Sequence, residues 1–234
     1  MYVLSLLLAS AAALLPQAEA AKGYTSTSWD CCKPACAWKT NLTKAKATGS
    51  VMVCGKNDRA LSASIGEKEN SACASSNAGN AFLCSAYQAR PVSETLSYGF
   101  AITDGVENCC KCFELQWTDG PSVGKKIQVQ VINEGGKVEN ASRQFIVLTP
   151  GGGVGPNPKG CNDQFGYDWQ VTSPLGRQYG GVIKAEDCVT LPDSLQAGCY
   201  WRFNWARGDV NGWNIEYTPI TCPDQLTSVS GCKA

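Results

Sequence analysis

Fourteen cysteines constrain this 234-residue chain more than any other feature of its sequence. All of them follow residue 30 and their number is even, so in an exported protein they are expected to pair as seven disulfides. Neighbours such as Cys31 and Cys32 cannot bond to each other without strain, so each should reach a distant part of the chain. Zinc binding by residues 109–112 is the alternative. The chain has no His, however, and no metal or cofactor is expected.

The amino terminus has the features of an export signal. An apolar run from Leu4 to Leu15 is followed by the small-residue site Ala18-Glu19-Ala20, which predicts a signal peptide over residues 1–20 and a mature domain over residues 21–234. The run is too short to span a membrane, so a secreted, extracellular protein is expected. The 20 basic and 20 acidic residues leave no charge excess for nucleic acid or anionic lipid. A neutral partner and a monomer are therefore expected.

Strand-like segments between turn signals predict a mostly β fold. Three segments are rich in β-branched and aromatic residues, namely 113–117, 126–132 and 144–148. A short helix is predicted from Asp193 to Ala197. The intervals 56–81 and 151–181 are too long for hairpins, and long loops on a disulfide-linked scaffold suit a binding groove.

The segment from Trp29 to Trp38 places one carboxylate, Asp30, between two aromatic rings and close to three cysteines. Disulfides around it would hold its side chain in a fixed direction, which makes Asp30 a candidate catalytic group and both tryptophans candidate sugar platforms. The alternative is that Asp30 caps a turn and both tryptophans lie in the core. Because His is absent, carboxylates are the ordinary side chains left for acid and base chemistry at mild pH. Two glycosylation sequons, at Asn41 and Asn140, are expected on surface loops if the host modifies them.

Five segments occur together in order: 29–38, 108–115, 120–126, 150–155 and 198–203. On these segments the chain resembles glycoside hydrolase family 45 over essentially its whole mature length. The resemblance implies a mostly β, six-stranded double-psi β-barrel with long disulfide-stapled loops and an open substrate groove. It also implies an inverting endo-β-1,4-glucanase, or cellulase. The disulfides that it implies are Cys31–Cys161, Cys32–Cys73, Cys36–Cys109, Cys54–Cys84, Cys110–Cys232, Cys112–Cys222 and Cys188–Cys199.

The resemblance assigns the general base to Asp30, but the acid position differs. The family's general acid is an Asp that follows a Phe, four residues before the proline of the Pro-Gly-Gly-Gly-Val-Gly segment, and that position is Ile146 here. A second family Asp, after a Gly-Gly pair, corresponds to Lys137. Since isoleucine cannot donate a proton, hydrolysis is expected to be weak or lost, and whether the chain is an enzyme stays open.

Other carboxylates are candidates for a general acid at a different position in the chain. Glu139, in a loop expected to be flexible and about two residues longer than usual, is the strongest of them, and it gives one alternative, an active inverting endoglucanase. Glu114 is expected to be structural, while Asp163 and Asp168 are expected to be solvated loop carboxylates. The other alternative is a pseudoenzyme that binds wall polysaccharide as a decoy or loosens it. A purely structural secreted protein is a third class.

The expected partner is a β-1,4-glucan of plant-type cell walls, such as cellulose, xyloglucan or glucomannan. Sugar rings stack their apolar faces on flat aromatic side chains, so Trp29, Trp38 and Trp169 are the predicted substrate-binding residues. Trp201 and Trp205 alternate with polar residues and are expected in the core instead.

Overall fold

The computed structural model describes residues 20–166 and 174–234. The predicted signal peptide lies outside these ranges except for Ala20, so it stays a prediction. The strands found in the described residues are β1 (Ala21–Ser28), β2 (Thr48–Gly49), β3 (Arg90–Pro91), β4 (Leu96–Thr103), β5 (Cys112–Trp117), β6 (Lys126–Glu134), β7 (Val138–Glu139), β8 (Ser142–Leu148), β9 (Trp213–Ile220) and β10 (Cys232–Lys233). The α-helices found there are α1 (Lys39–Ala45), α2 (Ala63–Gly66), α3 (Lys159–Phe165), α4 (Asp193–Tyr200) and α5 (Asp224–Ser230).

Six of the strands close into a barrel in the order β4-β6-β5-β9-β1-β8. The ring is completed by β8, which pairs antiparallel with β4 and sets Ile102 opposite Ile146. The β1–β8 and β4–β6 pairs are parallel, and the other barrel pairs are antiparallel. The expected mostly β, six-stranded barrel is therefore confirmed.

The barrel interior is filled by alternate residues of its strands. On β5, β6 and β8 the inward side chains are buried and apolar, and they include Phe113, Leu115, Ile127, Val129, Val131, Phe145 and Val147. A period of two directs these side chains to one face, which is why the segments form strands here. The strands predicted at 113–117, 126–132 and 144–148 are confirmed as parts of β5, β6 and β8.

A second apolar cluster lies outside the barrel, where the long loops pack on its wall. It includes Trp29, Tyr87, Phe100, Ile132 and Leu148 together with most of the disulfides. The seven disulfides join the pairs that the resemblance implies, from Cys31–Cys161 to Cys188–Cys199, and no cysteine is free. The loops that form the groove are therefore cross-linked to the barrel, which limits their conformational freedom.

The helix predicted from Asp193 to Ala197 is confirmed and extends to Tyr200 as α4. It continues into a π-helical turn over Trp201–Trp205. The end residues of that turn are 2% and 7% exposed, and their rings stack with centroids 5.6 Å apart, which confirms their expected place in the core. One turn of helix, and not strand alternation, puts them on the same face. Within the described residues, no helix has the length and apolar character needed to cross a membrane.

Candidate active-site groove

Asp30 follows strand β1 by two residues and lies on the outer wall of the barrel. From residue 25 to residue 30, buried side chains alternate with partly exposed ones, and Asp30 continues the partly exposed series of Ser26 and Ser28. Successive side chains of an extended chain point to opposite faces, so Asp30 faces the same side as these serines.

The backbone around Asp30 is held from several directions. Cys31 has a φ of +61°, so the chain turns sharply directly after the carboxylate. Disulfides tie Cys31 to Cys161 and Cys32 to Cys73. Gly160, at the start of α3, approaches so closely that a Cβ there would lie 2.7 Å from the Asp30 carbonyl oxygen. Such a tightly enclosed backbone suits a side chain that must keep one direction.

Burial tunes the acidity of Asp30. It raises the pKa of the Asp30 carboxyl from 3.8 to about 6, although the backbone N–H of Cys32 donates to Oδ1 over 3.0 Å and acts in the opposite direction. A carboxylate whose pKa lies near the working pH is a better proton acceptor than an ordinary aspartate. Asp30 is therefore suited to act as a general base above about pH 6.

A groove of about 570 Å³ runs along the same side of the barrel. Its floor includes Ser26, Ser28, Gln144 and Ile146, and the Gln144 side-chain amide donates to Ser26 Oγ over 2.9 Å. One wall is formed by residues 136–137, and others by Asn211 and by the loops at residues 152–156 and 178–180. The lining is dominated by hydroxyl groups, amides and glycine backbone, a surface suited to neutral hydroxylated ligands.

Arg202 positions the loops of the glycine-rich wall. Its side chain is 2% exposed, and it donates to the carbonyl oxygens of Gly151 and Gly180 over 2.7 and 3.0 Å. Gly155 and Gln178 join the same loops, since each donates to the carbonyl oxygen of the other over 3.0 Å. Sequence analysis did not single out Arg202. Its only signal was a charged residue between the aromatic side chains of Trp201 and Phe203.

Ile146 lies on the groove floor. It is aligned with Ser26 of β1 and with Ile102 of β4, and part of its side chain packs on the outer core. The residues on either side of it, Phe145 and Val147, point into the barrel. Ile146, at which the resemblance predicts the position of the acid, therefore lines the groove with a hydrocarbon side chain.

The rim beside Ile146 differs from the expected flexible loop. Residues 138–143 form a hairpin of β7 and β8 whose two turn residues, Asn140 and Ala141, have φ values of +50° and +61°. Positive φ at both turn positions is the pattern of a tight type I′ turn. Glu139 therefore lies in the two-residue strand β7 of a hairpin, and not in an irregular loop. Lys137 lines the groove, whereas Glu139 is not among its lining residues.

The three predicted tryptophan platforms have different outcomes. Trp29 is 1% exposed and belongs to the outer core, so its predicted contact with substrate is wrong, because no sugar can reach its faces. Trp38 is partly exposed, and Lys33 Nζ lies 3.2 Å from its ring centroid, which leaves at most one face for a ligand. Trp169 lies outside the described residues.

Lys33 is itself unusual, since it is only 5% exposed. Its ammonium group donates to the carbonyl oxygen of Glu69 over 2.9 Å. Burial lowers the pKa of Lys33 to about 8. This ammonium covers the face of Trp38 and holds its ring in place.

An exposed aromatic that sequence analysis missed lies on the groove wall. Tyr179 is 66% exposed and lines the groove between Gln178 and Gly180. Among the described aromatic side chains it is the one in the exposed class. Its position before a Gly-Gly pair was the available signal, because glycine neighbours leave a ring uncovered. Tyr179 is therefore a candidate sugar platform.

Two further candidate carboxylates, Glu114 and Asp163, have structural partners. Glu114 accepts hydrogen bonds from Lys126 Nζ and from the Gln128 side-chain amide over 2.7 and 2.8 Å. Partial burial acts to raise the pKa of Glu114, but these bonds outweigh it and the pKa is lowered, so this carboxyl is not a proton donor. Asp163 forms an ion pair with Lys159 over 2.7 Å on α3. Asp168 lies outside the described residues.

The two sequons lie in different settings. Asn140 is exposed in the hairpin turn, as predicted. The loop position predicted for Asn41 is wrong, because Asn41 lies in α1 and its side-chain amide donates to the Ala35 carbonyl oxygen over 2.9 Å. Residues 39–45 form this helix because nothing in them breaks it and Lys46 ends it at a φ of +57°. Modification of either asparagine stays a prediction.

A six-stranded barrel with an open groove on its outer wall, and with a carboxylate held in place by disulfides on the same side, defines a β-barrel protein with a groove-type site. The family model described as glycosyl hydrolase family 45 matches residues 22–233. An endoglucanase of Phaedon cochleariae is 37% identical over 216 residues, 90% of this chain and 83% of that protein. An endoglucanase of Cryptopygus antarcticus is 34% identical over 231 residues, 96% of this chain and 95% of that protein. The chain belongs to glycosyl hydrolase family 45.

Two further comparisons bear on fold and length. The crystal structure of the cellulase from the Antarctic springtail Cryptopygus antarcticus matches with a TM-score of 0.78 at 33% identity, over 92% of this chain and 97% of that chain. A putative endoglucanase type K of Fusarium oxysporum is 36% identical over 232 residues, 97% of this chain. The chain spans 57% of the length of that relative.

Proposed function

We propose that this chain is a secreted β-1,4-glucan-binding member of its family in which hydrolysis is weak or lost. The observation that carries the proposal is Ile146 on the groove floor, in a lining whose described residues include no carboxylate. Asp30, on the same side of the barrel but not itself a lining residue, is the proposed base, and no described residue of the lining supplies an acid. Export is supported by the cross-linking of all 14 cysteines, which requires an oxidising compartment.

Inverting hydrolysis needs two carboxyl groups about 6.5–9.5 Å apart, one to activate water and one to protonate the leaving oxygen. General acid help accelerates such a step about 10²- to 10⁴-fold, or roughly 3–5 kcal/mol of barrier. Ile146 cannot protonate the leaving alkoxide. The base Asp30 alone therefore supports at most a slow reaction.

Glucan binding follows from the lining and from the relatives. The floor offers hydroxyl and amide groups to sugar hydroxyls, and Tyr179 on the groove wall offers a flat surface to sugar C–H faces. Trp38, which is partly exposed but outside this lining, offers at most one further face. The similar proteins from Phaedon cochleariae and Cryptopygus antarcticus are endoglucanases. That name refers to enzymes that act on glucans, which supports β-1,4-glucan as the ligand.

The alternative is an active inverting endoglucanase that uses Glu139 as a relocated acid. Glu139 is on β7 at the groove rim, close to the lining residue Lys137. However, Lys137 Nζ lies 3.6 Å from its carboxylate, and the Glu139 side chain is 61% exposed. Glu139 is also not among the residues that line the groove, so its carboxylate is not placed beside a bound glycosidic oxygen. A decoy or wall-loosening role is the non-catalytic form of the main proposal.

The test combines hydrolysis and binding in one preparation of the secreted, disulfide-bonded protein. Reducing-sugar release from phosphoric-acid-swollen cellulose, glucomannan and xyloglucan is measured for the wild type and Asp30→Asn, and the Kd for cellohexaose is measured by calorimetry. We expect binding of cellohexaose with little or no sugar release. Release that Asp30→Asn abolishes would instead establish an active enzyme, and Glu139→Gln would then test the relocated acid. Absence of binding to any of these glucans would refute the proposal.

A further inference from the structure

The groove contains one isolated charge. Among the described residues that line it, every side chain is neutral except that of Lys137. Its side chain is 72% exposed, and it lies on the wall opposite the glycine-rich loops. A neutral glucan gives this ammonium no charged partner. The groove therefore carries a recognition element that a purely neutral ligand does not use.

The backbone of Lys137 is fixed, so its charge is confined to one part of the groove. The N–H of Gln144 on β8 donates to the Lys137 carbonyl oxygen over 2.9 Å. The type I′ turn directly beyond β7 fixes the hairpin that follows. The flexible four-carbon side chain of Lys137 lines the same groove as the floor residues Gln144 and Ile146.

The intramolecular partner of Lys137 is weak. Glu139 Oε1 lies 3.6 Å from Lys137 Nζ, and the two side chains are 61% and 72% exposed. Ion pairs between solvated side chains contribute little stability, so a ligand anion can compete for the ammonium. Arg143, the next cation on β8, is already paired with Asp104 over 3.1 Å and is not among the lining residues.

We infer that Lys137 makes the groove selective for β-glucan chains that carry carboxylate groups, as uronic acid residues do, over uncharged chains. This inference rests on the proposed function, because it names the substrate class of the same groove. Oxidation of the primary alcohol of a sugar gives a carboxylate without changing the ring, so the chain can keep its stacking and hydroxyl contacts. Lys137 then contributes the charge-assisted contact that a neutral chain lacks.

The test compares two soluble derivatives of the same polymer, anionic carboxymethyl-cellulose and uncharged hydroxyethyl-cellulose, at low salt. The readout is the ratio of their Kd values, measured by biolayer interferometry with the immobilised secreted protein. We expect the wild type to favour the anionic polymer about two- to fivefold, the range for a solvated charge pair. Lys137→Gln should bring the ratio close to one, and Glu139→Gln should increase it by releasing the ammonium.

Lys184→Gln is the matched control. Lys184 has a similar exposure, 62%, and a similarly weak pair with Asp187 over 3.8 Å, but it is not among the groove-lining residues. It should leave the ratio unchanged, and about 1 M salt should remove the preference of the wild type. If hydroxyethyl-cellulose binds but the ratio does not depend on Lys137, the inference about charge is overturned and glucan binding stands. If neither polymer binds, the proposed function fails as well.

Discussion

Replacement of Ile146 by Asp should restore hydrolysis, because it returns a proton donor to the groove floor. Ile146 is aligned with Ser26 of β1, and Asp30 lies four residues further along the chain, two residues beyond the end of β1. At about 3.3 Å per residue and about 4.8 Å between strands, the two Cα atoms are at most about 14 Å apart. The two side chains project from the same side of the barrel, so their carboxyl groups would be roughly 9–14 Å apart, the lower value applying when each leans toward the other. The lower end of that range suits an inverting pair.

The size of the expected gain follows from the proposed absence of a general acid. General acid catalysis contributes about 10²- to 10⁴-fold, so Ile146→Asp should raise the rate of sugar release by at least about 100-fold. The substitution also removes apolar contacts, because Ile146 packs partly on the outer core. Losing about half of the burial energy of an isoleucine costs about 1 kcal/mol. The expected fall in Tm is about 2–4 °C.

The assay is reducing-sugar release from phosphoric-acid-swollen cellulose, with Ile146→Asn as the matched control. Asparagine has the size and polarity of aspartate but no acidic proton, so it should lower Tm similarly and give no gain in rate. The double variant Asp30→Asn with Ile146→Asp should be inactive, because the base is removed. The reasoning would be refuted if the folded Ile146→Asp protein released sugar no faster than Ile146→Asn.

Three further predictions concern pH, binding and the groove wall. Burial raises the pKa of Asp30 from 3.8 in the unfolded chain to about 6 in the folded protein, so the charged carboxylate destabilises the fold. This destabilisation is absent below pH 3.8 and complete above about pH 6. Asp30→Asn should therefore have a higher Tm than the wild type above pH 6 and an equal Tm below about pH 3.8, and equal values at both would contradict the assigned burial. Tyr179→Ala should weaken cellohexaose binding about two- to tenfold by calorimetry, with unchanged Tm, since its ring is exposed. Arg202→Met should lower the free energy of unfolding by about 2–4 kcal/mol in urea titrations, because the Gly151 and Gly180 carbonyl groups lose a buried charged donor, and an unaltered midpoint would exclude that role.

Local pattern predicted the parts of this fold that depend on neighbours in sequence. Alternation of apolar residues is a property of a single segment, so β5, β6 and β8 could be predicted without knowing their partners. Pro192 and the residues after it predicted α4 in the same way. The family resemblance added the barrel and the cysteine pairing, because a cross-linked scaffold tolerates few rearrangements.

The environment of each side chain in the groove could not be predicted in this way. Trp29 and Asp30 are adjacent in sequence, yet one is enclosed by the outer core and the other is partly exposed on the outer side of the barrel, and only packing of distant loops decides this. The turn at Asn140 is identified as a hairpin turn only by the pairing of β7 with β8, which the sequence does not show. The exposure of the Tyr179 ring likewise depends on the packing of distant chain segments, none of which covers it.

The sequence by itself determined the chemistry that is available: a carboxylate at Asp30, a hydrocarbon at Ile146, an ammonium at Lys137 and cysteines enough to fix the loops. The tertiary structure alone decided that Ile146 and Lys137 share one groove and that burial alters the acidity of Asp30. The reason is physical. The identity of a side chain is local, whereas its solvation and its neighbours are set by strands and loops far apart in the chain.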